Sequence, residues 1–364
     1  MAGLSNKLIF SNSIKGRGTA CNPANRFDKI EYLAEVISEE TDEKAETIFY
    51  EDASRSIIAY NDSPDISFEA SINPYRGCEH GCVYCYARPF HNYLGLSAGL
   101  DFETKIFVKK NAARLLESEL SAANWHPTPL ALCGVTDPYQ PIERKLKITR
   151  ACLEVLARFR NPVNIITKNE LICRDIDLLT ELNRFRAVSV CISIATLDAD
   201  LAGIMEPRAS RPHRRLDAVR KLAEAGIPVG VLVSPVIPGL TDHEIPSLLE
   251  EIKRAGAGYA GYITLRLPFG IKTIFESWLN QNFPDRKEKI LNRIREMHNG
   301  KLYDSAFKSR MRGEGHYAEY ISNLFHVAAR KAGLDNPSPE LSVSSFRRNR
   351  SGQMTLFDFY GKNF

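Results

Sequence analysis

The stretch Asn73-Pro-Tyr-Arg-Gly-Cys78-Glu-His-Gly-Cys82-Val-Tyr-Cys85-Tyr-Ala-Arg88 carries three of the chain's eight cysteines within eight residues. Thiolates are preferred ligands of soft metals and of iron–sulfur clusters, so one short loop with three of them can bind a single metal ion or one face of a cluster. A cubane held by three thiolates keeps one iron open to a further ligand. The same loop also suits a structural zinc site, with Cys78, Cys82 and Cys85 joined by His80, because zinc accepts thiolate and imidazole together. Spacing alone leaves both chemistries open.

Such a loop needs a frame. Phe68, Ala70 and Ile72 alternate with Ser67, Glu69 and Ser71 until Pro74 stops the pattern, which predicts a strand feeding the loop. Apolar runs predict further strands at 130–135, 163–167, 188–195, 229–233 and 259–265. Helical stripes predict helices at 108–122, 148–159, 172–182, 216–225 and 244–255, with Gly226 and Gly256 as left-handed caps. Six strands alternating with helices imply a parallel sheet covered by helices, either doubly wound or curled into a barrel or partial barrel. No Gly-x-Gly-x-x-Gly follows the first strand, which counts against a dinucleotide fold. The chain divides into an N-terminal arm, 1–60, partly disordered with one short helix at 30–37; the α/β unit, 61–270; a C-terminal helical extension, 271–336; and a flexible basic tail, 337–364.

With 364 residues, 44% of them hydrophobic, the chain can bury a sizeable core in one large or two medium domains. A net charge of +4 permits nucleic-acid binding without demanding it. The other cysteines follow no framework spacing, the usage of a reducing cytoplasm. No stretch approaches the roughly 18 apolar residues of a membrane span, so the protein is expected to be soluble and cytoplasmic, with no membrane partner.

Ligands of parallel α/β folds gather at the C-terminal ends of strands. There the sequence offers Thr136-Asp137, Thr167-Lys168-Asn169, Ser193, Thr196, Ser234, Asp242 and Arg266. Each has a turn or capping alternative.

The Cys-x3-Cys-x2-Cys spacing with Tyr84 before the last cysteine resembles the signature of the radical S-adenosylmethionine (SAM) superfamily. The flanking Asn73-Pro-Tyr-Arg-Gly-Cys78 and Tyr84-Cys-Tyr-Ala-Arg88 resemble its spore photoproduct lyase branch, a likeness that runs from about residue 67 to 335. The resemblance implies an α/β fold, a partial (β/α)6 TIM-type barrel of parallel strands. It implies a [4Fe–4S] cluster on Cys78, Cys82 and Cys85 with SAM on the open iron, and a 5'-deoxyadenosyl radical made with an external electron donor. It also implies nucleic acid as substrate in a DNA-repair role, SAM contacts from Asp137, Lys168, Ser193 and Tyr84, and Cys133 as hydrogen-atom donor. Alternation along a strand would put Cys133 on one face with Val135 and Asp137. A radical enzyme for a protein or small metabolite, and a non-catalytic metal-stabilised nucleic-acid-binding protein, are the alternatives.

At the end of the tail, Gln353-Met-Thr-Leu356-Phe357 resembles the bacterial sliding-clamp peptide, and Gln353, Leu356, Phe359 and Tyr360 fit the archaeal and eukaryotic spacing. The segment Gln353 to Tyr360 is expected either to bind a clamp or to dock on its own domain.

Overall fold

The computed structural model describes residues 14–27, 45–66 and 68–348. Its strands are β1 Ile48–Glu51, β2 Ile58–Tyr60, β3 Ala70–Ile72, β4 Tyr75–Arg76, β5 Lys105–Val108, β6 Leu130–Leu132, β7 Val163–Thr167, β8 Val188–Ser193, β9 Val229–Val236 and β10 Tyr259–Thr264. Six of them, β3 and β6 to β10, are the six expected from the sequence and pair in parallel in chain order. The sheet reads β10-β9-β8-β7-β6-β3-β2, with β2 antiparallel at one edge, so it is a partial barrel left open between β10 and β2.

Register explains why these strands are so apolar. Leu132, Ile165 and Val190 lie side by side, and Val190 pairs with Val229. This row enters the main core against the helices Ile148–Phe159, Ile176–Asn183, Pro212–Glu224 and Ile245–Arg254. The intervening positions face the other way: Ala131 on β6, Ser189, Cys191 and Ser193 on β8, and Gly230 on β9 are smaller or more polar. A Cβ at Gly230 would stand 2.2 Å from the Tyr259 ring, whose hydroxyl shares a 2.7 Å hydrogen bond with Ser189.

Several expectations change. The strand expected at 130–135 stops at Leu132, because Gly134 turns to φ 114 and breaks the alternation. The helical extension supplies a covering helix after β10. His316–Ala332 packs on Ile245–Arg254, places Phe325 4.6 Å from Tyr262, and leads to Leu334, whose carbonyl accepts from the Ala260 amide at the edge of β10. A second sheet, β1-β5-β4, flanks the cysteine loop; β4 has two residues and β1 is exposed throughout, so neither carries a readable period.

Part of the N-terminal arm is a packed strap. The Gly18 amide donates to Glu103 at 2.9 Å, the Cys21 carbonyl accepts from Leu100, and buried Asn25 donates to the Asn92 carbonyl at 3.0 Å. The tail called flexible from 337 is docked as far as Arg348, because Phe346 lies 6.2 Å from Phe159 while Ser342 and Arg347 donate to the carbonyls of Arg186 and Phe159. One aromatic in a polar run gives no periodic signal. The helix expected at 30–37 and the segment Gln353 to Tyr360 lie outside the described residues. No helix among the described residues is long and apolar enough to cross a membrane.

Candidate active site

The cysteine loop follows β3 and β4 and turns at Gly77 and Gly81, both at positive φ (80° and 69°), where a side chain would be strained. It is braced on every side. From the segment after β6, the Thr136 hydroxyl and the Gln140 amide donate to the Gly77 carbonyl at 2.7 and 3.2 Å, and Gln140 accepts from the Glu79 amide. The Glu79 carboxylate accepts from the Ile142 amide at 2.7 Å and from Arg208 at 2.9 Å. The Val83 amide donates to the Met205 carbonyl. Arg88 is fully buried; its guanidinium pairs with buried Glu103 and donates to the carbonyls of Cys82, Ala98 and Gly99.

These braces present three free thiols: Cys78 and Cys82 are buried, and Cys85 is half-buried. Among the described residues no group of three His, Cys, Asp or Glu side chains is arranged to hold a single metal ion. A cubane suits the loop better, since each thiolate takes its own iron. His80 is engaged elsewhere, with Nδ1 3.4 Å from Asp137 and Nε2 3.2 Å from Asn169. Burial alone would lower its pKa; Asp137 and the Cys78 sulfur beside it raise it to about 10.

The strand-end residues fall into two groups. Asp137 is spent within the protein: it accepts from the Thr167 hydroxyl (2.7 Å), the Lys168 amide (2.8 Å) and the Tyr139 amide (2.9 Å), and faces His80. Burial would raise its pKa, but His80 and these donors hold it at about 2. Asn169 caps the 3-10 helix Glu170–Asp175 by accepting from the Leu171 amide, Thr196 binds Glu244, and Asp242 accepts from the Gly239 amide.

Lys168 and Ser193 form the second group. Lys168 Nζ donates to Ser193 Oγ at 2.5 Å and to the Ser234 carbonyl at 3.3 Å, and stands 5.8 Å from the centre of the Tyr84 ring. Burial lowers its pKa, against an opposing pull from the Cys82 sulfur. The Tyr84 hydroxyl donates to Glu206, and Glu206 pairs with Arg215, both carboxylate and guanidinium buried. The structure therefore brings Lys168, Ser193 and Tyr84 together beside Cys82.

Cys133 stands just past β6, one residue beyond the core-facing Leu132 and hence on the same face as Ala131. Burial, with Cys191 nearby, pushes its thiol up to about 12. Tyr86, which follows Cys85, donates to the adjacent Gly134 carbonyl at 2.8 Å, and a Cβ on Gly134 would meet nothing within 4 Å. Space is thus open at the end of β6.

The sequence assigns no role to Glu79, Arg88, Glu103, Gln140, Glu206, Arg208 or Arg215. One of them left a signal: Arg215 lies on the apolar stripe of its helix with Ala218, Val219 and Leu222, and a charge on such a stripe needs a buried partner.

The Radical SAM superfamily model matches residues 72–252. An uncharacterized protein of Mycobacterium tuberculosis is 34% identical over 277 residues, covering 75% of this chain and 78% of its own. One of Methanocaldococcus jannaschii is 30% identical, covering 61% and 79%. The radical SAM Nalpha-GlyT isomerase of Pseudomonas phage M6 is 26% identical over 53% of this chain and 38% of its own. In fold, the chain is similar to spore photoproduct lyase complexed with dinucleoside spore photoproduct, with a TM-score of 0.55, 18% identity and coverage of 78% and 79%. The chain belongs to the radical SAM superfamily, whose enzymes use a [4Fe–4S] cluster and SAM.

Proposed function

We propose that this enzyme acts on nucleic acid, in a repair or modification reaction, from a site in which Cys78, Cys82 and Cys85 ligate the cluster. Bound there, the cluster and SAM supply a 5'-deoxyadenosyl radical when an external donor provides the electron. The observation that carries the cofactor half of this reading is the meeting of Lys168, Ser193 and Tyr84 at the sheet's C-terminal end, on the cysteine loop. Lys168 would donate to the methionine carboxylate, and Ser193, whose hydroxyl donates to the Ser234 carbonyl at 3.1 Å, would accept from a polar group of SAM. Tyr84, tied to Glu206, forms the wall behind them. Asp137 acts indirectly, by fixing the Lys168 backbone and His80.

Cys133 is the proposed hydrogen-atom donor. That role needs an intact S–H bond, and burial keeps the thiol protonated at neutral pH. The substrate reading draws on relatives by analogy alone: a lyase complexed with a dinucleoside photoproduct shares the fold. The segment Gln353 to Tyr360 is proposed as a sliding-clamp ligand that brings the enzyme to DNA.

The test is anaerobic turnover with SAM, reductant and extensively deuterated single- and double-stranded DNA or RNA. Deuterium in the 5'-deoxyadenosine formed shows that a nucleic acid gave up the hydrogen. Cleavage of SAM with no deuterium transferred from any of these polymers would retire the nucleic-acid reading in favour of a protein or small-metabolite substrate.

A further inference from the structure

At the mouth of the partial barrel, beyond the residues assigned to cofactors, exposed aromatic rings are interleaved with guanidinium groups. The 3-10 helix Arg88–Leu94 presents Phe90 and Tyr93, the strap presents Arg26 and Phe27, and the loop after β10 presents Arg266 and Phe269. Tyr93 is 66% exposed, Phe269 55% and Phe27 53%, and exposed apolar surface gathered in one place marks interaction sites. Arg26 lies over three of them, 4.2 Å from the Phe269 ring centre, 4.6 Å from Phe27 and 4.9 Å from Tyr93. Phe269 holds its ring there from a backbone at φ 49, a conformation unfavourable for a bulky residue and one that clusters at functional sites.

Arg266 links this rim to the site. Its guanidinium lies 5.1 Å from the centre of the Tyr86 ring, the residue after Cys85. Its one hydrogen bond among the described residues is a 3.4 Å contact to the Met311 sulfur, and its buried Nε has no partner, as is true of Arg26 Nε.

We infer that this rim binds an unpaired strand of nucleic acid, with bases stacked on Tyr93 and Phe269 and a backbone phosphate held by Arg266. The inference rests on the nucleic-acid reading above and adds where, and in what form, the polymer is held. Flat aromatic faces are of use to a base only once it has left its own stack, which favours a single strand or an extruded nucleotide over an intact duplex. Guanidinium groups short of acceptors match phosphate oxygens. An apolar protein partner would not need a cation on the rings.

The test uses the full-length, reconstituted protein and fluorescence anisotropy under anaerobic conditions, with a labelled single strand of roughly 12 nucleotides, within the usual site sizes, and with its duplex. Single-strand binding is expected to be tighter than duplex binding. Tyr93→Ala and Phe269→Ala should each weaken it about 5- to 150-fold, the range for losing one stacked base, while Tyr93→Phe keeps it and SAM cleavage without substrate stays unchanged. Arg266→Gln should lower the slope of log affinity against log salt by about one. Strand binding that is indifferent to both ring substitutions overturns the rim and leaves the nucleic-acid reading standing. Preference for the duplex overturns the unpaired strand. Failure to bind any nucleic acid removes both.

Discussion

Replacing Arg88 by Met would test what fixes the cysteine loop. Arg88 and Glu103 are both fully buried, and the guanidinium also donates to the carbonyls of Cys82 (2.9 Å), Gly99 (2.9 Å) and Ala98 (3.3 Å). Methionine fills much of the volume but strands the Glu103 carboxylate, whose remaining donor among the described residues is the Gly18 amide, and leaves three carbonyls short of a donor. Removing one partner of a buried ion pair costs about 3–5 kcal/mol, which in a chain of this size is a fall of roughly 4–7 °C in the apparent melting temperature. Because Arg88 holds the Cys82 carbonyl, the variant should also retain less iron after desalting. Adding Glu103→Leu to Arg88→Met should recover part of the loss, since no charge is then left buried. Differential scanning fluorimetry with colorimetric iron determination gives both readouts. A single variant with wild-type melting temperature and iron content would refute the claim that this pair clamps the loop.

Gly18→Ala would put a Cβ 1.7 Å from the Gly81 carbonyl oxygen, a backbone atom that cannot yield, so the strap should lift and a chelator should extract iron faster than from the wild type. Lys168→Ala and Ser193→Ala should leave iron content intact and weaken SAM binding by roughly 1.5–3 kcal/mol and 0.5–1.5 kcal/mol, the ranges for charged and neutral hydrogen bonds; equilibrium dialysis at wild-type affinity would return both to packing duty. Asp137 has a folded pKa of about 2 against an ordinary 3.8, so its contribution, about 2 kcal/mol, is present above the unfolded value and lost as pH falls through about 2. Asp137→Asn should therefore be less stable at neutral pH in urea melts, with the gap narrowing below pH 4. Truncation after Arg348 should leave SAM cleavage intact and abolish capture by an immobilised sliding clamp; a full-length chain that never binds a clamp makes the tail motif a coincidence.

The parts legible in the sequence are those whose signal is local. The cysteine spacing stands in eight consecutive residues, and the parallel strands announce themselves as apolar runs because both faces are buried. Lys168 and Ser193 became candidates because each closes such a run with a polar side chain. Asp137 shows the limit of that logic: it too follows an apolar run, yet its oxygens hold Thr167, Lys168, Tyr139 and His80, and no one-dimensional pattern tells a ligand from a brace. The strap and the Arg88–Glu103 pair were invisible for a related reason. Gly18 meets Gly81 and Glu103 across long separations in the chain, so their meaning exists only once the fold has closed. Phe346 was lost in a polar tail because one aromatic makes no period.

Everything proposed for this enzyme depends on Cys78, Cys82 and Cys85 together carrying a four-iron cluster open to SAM. The most direct measurement is anaerobic reconstitution of the wild type and of the triple alanine variant, with iron and sulfide analysis and low-temperature electron paramagnetic resonance of the reduced protein before and after SAM is added. The wild type is predicted to hold about four irons and four sulfides per chain, with a reduced-cluster signal that shifts when SAM binds, and the triple variant to hold none. Zinc in place of iron, or a triple variant that keeps its iron and its response to SAM, would contradict it.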